Sequence, residues 1–241
     1  NESYGDIYGR NLDTKKEFTV CTVISSQWYV DIFSPIVVWQ DGRNSNWDIY
    51  GYNLSIGQEF TVCTNTFSQL NPAIDGNIVV WRDTRNEPAA AGDIYGRDLS
   101  TGQEFTVCTE PLAQWNPDIY SPTVVWQDER NALAGNGWDI YGYDLVSSQE
   151  FAICTSTLNQ TYPTIYGNIV VWQDDRNGNL DIYGYDLGTG QEFLICTNIA
   201  AQYEPVVFGN VVVWQDNRNG NDDIYGARLA LSSHKAVDKN T

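Results

Sequence analysis

Short apolar runs alternate with polar turn residues along the whole chain. Segments such as VVW, DIYG and EFTVC are rich in β-branched and aromatic side chains, and Gly, Asn, Asp and Thr separate them. This composition is typical of β-strands joined by tight turns. No stretch follows the period of about 3.6 residues that an amphipathic helix requires. The pattern therefore predicts an all-β protein.

The same order of segments recurs every 42 to 46 residues. The tryptophan of the VVW segment marks each unit, and a cysteine, a glutamine and the aspartate of DIYG keep the same period. The tryptophans are Trp39, Trp81, Trp126, Trp172 and Trp214. In one unit, the pattern predicts strands over 71–76, 77–83, 93–99 and 104–109. A four-stranded unit of this size cannot bury both faces of its sheet alone, so the repeat predicts sheets packed face to face in a β-propeller.

The motif order within each unit resembles that of a known family. VVW, Asp, Arg, Asn-Gly-Asn, DIYGYDL and Thr-Gly-Gln-Glu follow one another as in the propeller repeat of TolB and related surface proteins of archaea and bacteria, and the resemblance covers the whole chain. It implies four-stranded antiparallel blades, a cell-surface or extracellular location, and mostly binding or scaffold roles. Because many unrelated functions share one fold, function must be argued from a site.

We predict one propeller domain over residues 1–241. Its repeat units are 23–64, 65–109, 110–155, 156–197 and 198–241, preceded by a half repeat at 1–22. Five VVW segments favour five blades. The alternative is six blades, as in TolB, because Asp6 opens a sixth DIYG. The EFTVCT segment from Glu17 could replace the missing outer strand of the last unit, which would close the ring by joining the N- and C-terminal strands.

The charge of the chain excludes some partners. Its 31 acidic and 13 basic residues give a net charge of −18, which repels nucleic acid and anionic lipid. No apolar run approaches the roughly 20 residues that a membrane-spanning helix needs. The chain contains no Met and begins with Asn1, from which we expect a processed product or a part of a larger surface chain.

An Asp/Arg/Asn cluster follows every VVW segment, for example at Asp174, Arg176 and Asn177. Carboxylate and amide oxygens could bind Ca²⁺. An arginine among carboxylates instead favours an ion-paired turn clamp, so we expect no cofactor and treat structural Ca²⁺ as the alternative. The five cysteines repeat at blade spacing, which is too far for disulfides, and we expect buried free thiols.

Residues that vary between repeats are the better candidates for recognition. The loop entering each inner strand carries aromatic and amide groups that should surround the mouth of the central funnel, at the same end as the insertions at 86–92 and 131–138. Such groups suit protein side chains or carbohydrate rings, although they could also plug the channel. The candidate ligand-binding residues are Gln27, Trp28, Gln69, Gln114, Trp115, Gln160, Tyr162, Gln202, Tyr203 and Glu204.

Evidence for catalysis is weaker. The single histidine, His234, lies in a degenerate tail, and the chain has no GxSxG, HExxH or glycine-rich phosphate loop. A carboxylate-based glycoside hydrolase or lyase remains the alternative, since it needs only two acids about 5–9.5 Å apart. The nonrepeated acids that could serve are Asp31, Glu110, Asp118 and Glu204. The sequence therefore favours a non-enzymatic module that binds a protein or glycan, or acts as a scaffold.

Overall fold

The structure, a computed structural model, describes residues 5–86, 91–132 and 137–230. His234, the rest of the C-terminal tail and the central parts of both insertions lie outside these ranges. The described residues form 21 strands, arranged as six antiparallel sheets in series along the chain. The prediction of an all-β chain made of four-stranded antiparallel units is confirmed.

The sheets follow the repeat units closely. Sheet 1 contains β1 (Ile7–Arg10) and β2 (Glu17–Cys21). Sheet 2 contains β3 (Gln27–Phe33), β4 (Ile36–Asp41), β5 (Asp48–Asn53) and β6 (Gln58–Cys63). Sheet 3 contains β7 (Gln69–Asp75), β8 (Ile78–Asp83), β9 (Asp93–Asp98) and β10 (Glu104–Cys108). Sheet 4 contains β11 (Gln114–Tyr120), β12 (Thr123–Asp128), β13 (Asp139–Asp144) and β14 (Gln149–Cys154). Sheet 5 contains β15 (Gln160–Tyr166), β16 (Ile169–Asp174), β17 (Asp181–Asp186) and β18 (Gln191–Cys196). Sheet 6 contains β19 (Gln202–Phe208), β20 (Val211–Asp216) and β21 (Asp223–Arg228).

Contacts divide the chain into two compact units, Asn1–Pro117 and Asp118–Thr241. In both units, neighbouring sheets pack against each other in the same way. In the first unit, Val38 and Ile49 of sheet 2 pack against Trp81 of sheet 3. In the second unit, Val171 and Ile182 of sheet 5 pack in the same way against Trp214 of sheet 6. The alternating faces of a sheet therefore have different partners. Four of the five repeated tryptophans lie in the core between sheets, as the repeat predicted, and these are Trp39, Trp81, Trp172 and Trp214.

The two ends of the repeat array differ from its centre. The N-terminal half repeat forms its own sheet, in which β2 pairs with β1. Among the described strands, β21 is the edge of sheet 6 and β2 is not its neighbour. The strand pairing that the sequence suggested for closing the ring is therefore not formed in the described part of the chain. A strand that can pair with its immediate neighbour in sequence does so at a low entropic cost.

In sheets 1 to 5, a glycine in the DIYG strand makes room for a phenylalanine from the outer strand. Gly184 lies opposite Phe193, and a Cβ added there would lie 2.6 Å from the ring. We expect Gly184→Ala to lower the free energy of unfolding by about 1–3 kcal/mol, the usual cost of overpacking a core. Urea denaturation monitored by circular dichroism measures this change.

Gly226 offers a matched control, because it holds the same position in sheet 6 and a Cβ there would meet only Val212 and Val213, at 3.1 Å or more. Gly226→Ala should change stability by less than about 1 kcal/mol, since the lower entropy of the unfolded chain offsets the close contact. Equal losses at Gly184 and Gly226 would contradict the role of the phenylalanine.

Candidate functional site

The repeated Asp/Arg/Asn cluster is a structural clamp. In sheet 5, buried Asp174 accepts a hydrogen bond of 3.0 Å from Trp172 Nε1 and forms an ion pair with Arg176. Arg176 also pairs with Glu192 of the outer strand at 2.7 Å, and its guanidinium lies 4.2 Å from the centre of the Tyr183 ring. One arginine thus joins three strands of its own sheet. The clamp that the sequence predicted is confirmed.

Two of the clamp carboxylates, Asp41 and Asp216, have a lowered pKa. Burial alone would raise the pKa of Asp41, but hydrogen bonds from Arg43 and Trp39 outweigh burial and hold that pKa below its ordinary value. Hydrogen bonds from Arg218 lower the pKa of Asp216 to about 2. The stabilisation from these two carboxylates is therefore present above pH 4 or so and is lost as the pH falls through their folded-state pKa values.

No group of three or more His, Cys, Asp or Glu side chains could hold a metal ion within the described ranges. The five cysteines are free, four of them buried and Cys196 half-buried, which confirms the expectation of unpaired thiols with a partial exception at Cys196. Burial raises the pKa of Cys63 and of Cys154 to about 12, so both thiols are protonated at neutral pH. That the chain has no cofactor stays a prediction.

The five glutamines among the predicted ligand-binding residues are buried at the start of each inner strand. Their amide nitrogens donate to backbone carbonyls of the preceding turn. Gln69 donates to Phe67 at 2.6 Å, and Gln114 donates to Leu112 at 3.1 Å. These side chains hold the entry loop in place. Their occurrence in every repeat was the sequence signal for this scaffold role.

The residue two positions after each glutamine has a left-handed backbone. The φ values are 52° at Tyr29, 51° at Asn71, 50° at Asn116, 54° at Tyr162 and 47° at Glu204. Positive φ is uncommon for residues other than glycine and costs of order 1 kcal/mol or more. The inner strands shift register at this point in sheets 2, 3, 5 and 6, as a β-bulge requires.

In sheets 3, 5 and 6, a glutamine of the preceding sheet holds the bulge in place. The backbone N–H of Asn71 donates to Gln40, that of Tyr162 to Gln127 and that of Glu204 to Gln173, at 2.9 to 3.0 Å. The bulge therefore depends on sheet-to-sheet packing. It presents the variable residues of the entry loop at one end of its own sheet, and Tyr29, Tyr162 and Glu204 are each exposed there.

In the second unit, the bulges of sheets 5 and 6 border a pocket of about 330 Å³. It is lined by Tyr162, Gln173, Tyr203, Glu204, Gln215 and Asp222. Gln215 Nε2 donates to Glu204 Oε2 at 2.7 Å, and Asn217 donates to the Tyr203 hydroxyl at 3.2 Å. The pocket thus combines two aromatic rings with carboxylate and amide groups whose positions are partly fixed.

The pocket brings together three predicted site residues, Tyr162, Tyr203 and Glu204, and adds three that the sequence analysis missed. Gln173 and Gln215 were missed because they belong to the repeated VVWQD segment. Asp222 carried a signal, since the residue before DIYG is Trp or Leu in three other repeats and an acid only here.

The first unit presents aromatic residues at the same end of its sheets. Trp28 is 53% exposed and stacks on Trp47, with ring centres 5.1 Å apart. Trp115 instead lies under the guanidinium of Arg82, 4.4 Å from its ring centre. Arg82 replaces the glutamine of the repeat, and burial lowers its pKa to about 10. Trp28 is therefore more accessible than Trp115.

Two of the four candidate catalytic acids hold neighbouring sheets together. Asp31 accepts the backbone N–H of Ile74 in the next sheet at 2.7 Å, and Asp118 accepts that of Ile165 at 2.8 Å. Burial raises the pKa of Asp31. Glu110 is exposed, and Glu204 lies in the pocket described above. The glycoside hydrolase or lyase alternative stays a prediction.

Comparison with known proteins identifies the fold. No protein-family model matches the chain, and no curated protein matches it in sequence. A protein described as TolB from Agrobacterium tumefaciens superposes with a TM-score of 0.69 at 16% identity, covering 93% of this chain and 84% of that one. TolB from Acinetobacter baumannii gives 0.66 at 17% identity, covering 91% and 56%. A chain of a nidogen/laminin complex gives 0.64 at 13% identity, covering 95% and 88%.

These likenesses show that the chain has a TolB-like propeller fold, as the repeat motifs indicated. The chain spans little more than half of the Acinetobacter protein. Within the described residues, no helix has the length and apolar character needed to cross a bilayer.

Proposed function

We propose that this chain is a non-enzymatic propeller module that binds a protein through the bulge end of its inner strands. The pocket lined by Tyr162, Tyr203 and Glu204 is the observation that carries the proposal. Its walls come from the loop positions that vary between repeats, on a backbone that the repeated glutamines hold fixed. Variable side chains on a rigid frame are typical of recognition sites.

The chemistry of the pocket favours a basic side chain as its occupant. Glu204 and Asp222 supply negative charge, and the rings of Tyr162 and Tyr203 can lie against a cation. About 330 Å³ is at the small end of ligand pockets, so it suits one or two side chains of a protein. The net charge of −18 would also speed the approach of a basic partner.

Two further points support protein binding and complete the proposal. One of the structures with a similar fold was solved as a nidogen/laminin complex. The resemblance of the repeat to surface-protein propellers supports a cell-surface or extracellular location within a larger chain.

Five sheets begin with an inner strand, and for this reason we propose five blades over six.

A glycan is the second candidate ligand. The Trp28 and Trp47 rings stack at the same end of the sheets in the first unit, and Trp28 is largely exposed. An exposed indole face next to polar groups suits the apolar face of a sugar ring. This candidate predicts binding that depends on Trp28 and not on Glu204.

Selection of a random peptide library on the immobilised chain tests the proposal. We expect the selected peptides to contain Lys or Arg. The double variant Glu204→Gln/Asp222→Asn should bind these peptides about tenfold or more less tightly, because both carboxylates are lost from a partly desolvated site. Fluorescence anisotropy measures the affinities. A glycan array run in parallel with Trp28→Ala tests the second candidate.

Ile56→Ala is the control, since Ile56 is exposed in the turn between β5 and β6, at the other end of sheet 2. Its peptide affinities should equal those of the wild type. Selected peptides without basic residues, or affinities that the double variant leaves unchanged, would remove the pocket as the binding site.

A further inference from the structure

A groove runs along the open edge of sheet 6. It has a volume of about 500 Å³ and lies between the outer strand of sheet 5, β18, and the last strand, β21. Its walls include Phe193 and Ile195 on one side and Ala227 and Arg228 on the other. In the described part of the chain, sheet 6 has three strands, where sheets 2 to 5 have four.

The four complete sheets show what a strand at this position looks like. In sheet 5, the outer strand β18 pairs with β17 so that Phe193 covers Gly184 and Glu192 reaches Arg176. The Glu and the Phe occur next to each other in all four outer strands, followed two residues later by Val or Ile. These strands are internal templates for the partner of β21.

The groove keeps the three contact points of the template. Gly226 corresponds to Gly184, and no phenylalanine lies near the Cβ position there. Arg218 corresponds to Arg176, and its ion pair among the described residues is with Asp216 alone. Cys196 is half-buried, whereas Cys154, its counterpart in sheet 4, is buried beside Glu192 at 3.4 Å.

We propose that this groove binds an extended segment of a partner polypeptide, which adds to β21 as the fourth strand of sheet 6. Its phenylalanine lies over Gly226, and its glutamate pairs with Arg218 and reaches Cys196. The edge of β21, which has no partner among the described strands, supplies backbone hydrogen bonds, and the two side chains supply selectivity, as in other cases of strand addition. This surface shares no residue with the pocket of the proposed function.

Arg228 extends the selectivity by one residue. In sheets 2, 4 and 5 its position holds Asn53, Asp144 or Asp186, each opposite the glutamine that precedes the Glu-Phe pair. With arginine at this position, an acidic residue before Glu-Phe is favoured, because opposite charges across strands attract. The partner segment therefore has the order acid, Glu, Phe, any residue, then Val or Ile.

The N-terminal strand of this chain fits the groove less well. β2 contains Glu17 and Phe18, but Lys16 precedes them and would face Arg228 with the same charge. β2 is also already paired with β1, where Val20 packs in the core with Trp39. Residues 231–241 of this chain contain no Glu-Phe pair. The template sequence therefore favours a strand from another polypeptide.

A pair of synthetic peptides tests the proposal. Both copy residues 189–197 with Cys196→Ser, and they carry either Gln191→Asp, giving TGDEFLIST, or Gln191→Lys, giving TGKEFLIST. We expect the Asp peptide to bind the chain about two- to fivefold more tightly than the Lys peptide, from one cross-strand charge pair. The protein variant Arg228→Glu should reverse this preference. Replacing the phenylalanine of the Asp peptide by alanine should weaken binding by at least about tenfold.

Two controls separate this inference from its rivals. The variant Glu204→Gln/Asp222→Asn should bind the Asp peptide as the wild type does, which distinguishes the groove from the pocket. Hydrogen exchange of the β21 backbone amides should slow when the peptide binds. Absence of binding, or a preference that Arg228→Glu leaves unchanged, would overturn the inference. So would a dimer of the chain that Phe18→Asp converts to monomer, because a second copy would then occupy the groove.

Discussion

Trp172→Ala is expected to lower the free energy of unfolding by about 3–5 kcal/mol, the usual range for removing a buried tryptophan. The Trp172 side chain is 0% exposed and packs with Val125 and Ile140 of sheet 4. It also stacks on Tyr183 of its own sheet, with ring centres 6.4 Å apart. The substitution therefore leaves a cavity between two sheets and frees a ring on one of them. Urea denaturation followed by circular dichroism measures the loss.

Trp28→Ala is the matched control, because Trp28 belongs to the variable set and is more than half exposed. Its loss removes one stacking contact with Trp47 and should cost less than about 1.5 kcal/mol. A loss at Trp28 as large as that at Trp172 would mean that repeated and variable tryptophans share one role. The separation of scaffold from recognition residues would then fail.

The fold was predictable because its determinants lie within single repeats. VVW and DIYG each place a large side chain on one face and a small or branched one on the other, and the same pattern recurs in every unit. The alternation fixes the register, since a slip of one residue would move Trp172 from the face that packs on sheet 4 to the face that packs on sheet 6. The strand order within each sheet and the buried tryptophans follow from this pattern.

The bulge in each inner strand was not predictable from the local sequence. The inner strand of sheet 3 begins at Gln69, two residues before the predicted start, and the chain takes a left-handed conformation at Asn71. Asparagine tolerates this conformation, but tyrosine and glutamate adopt it at the equivalent positions as well. The cause is the hydrogen bond that the Asn71 N–H donates to Gln40 of the preceding sheet, a long-range contact that no single repeat reveals.

The candidate site was predicted only in part, again because contacts between sheets cannot be read from a single repeat. Tyr162, Tyr203 and Glu204 vary between repeats and line the pocket, whereas the predicted glutamines recur and are buried. Asp31 and Asp118 also vary, yet each accepts a backbone N–H of the next sheet. Variation therefore indicates recognition only where the side chain is free of such sheet-to-sheet bonds, and that requires the structure.

Asp128→Ala is expected to cost about 3 kcal/mol, the low end of the range for breaking a buried ion pair. The Asp128 carboxylate is fully buried and accepts bonds from Trp126 Nε1 at 2.8 Å and from the Arg130 guanidinium. Its removal leaves the indole N–H without this acceptor in the core. Arg130 keeps its ion pair with Glu150 and some contact with water, which limits the loss. Thermal and urea denaturation at neutral pH measure it.

Glu129→Ala, one residue along the chain, should change stability by less than about 0.5 kcal/mol, because its carboxylate forms no ion pair or hydrogen bond with the described residues. Asp216→Ala in sheet 6 should lose more stability than Glu129→Ala and less than Asp128→Ala. The side chain of Arg218 is 27% exposed, against 17% for Arg130, so water replaces more of the lost interaction. If the three variants lose equal stability, the clamp does not depend on burial. The expected differences link the stability that each clamp contributes to the presence of an outer strand. When a strand is added to β21, the stability lost in Asp216→Ala should approach the stability lost in Asp128→Ala.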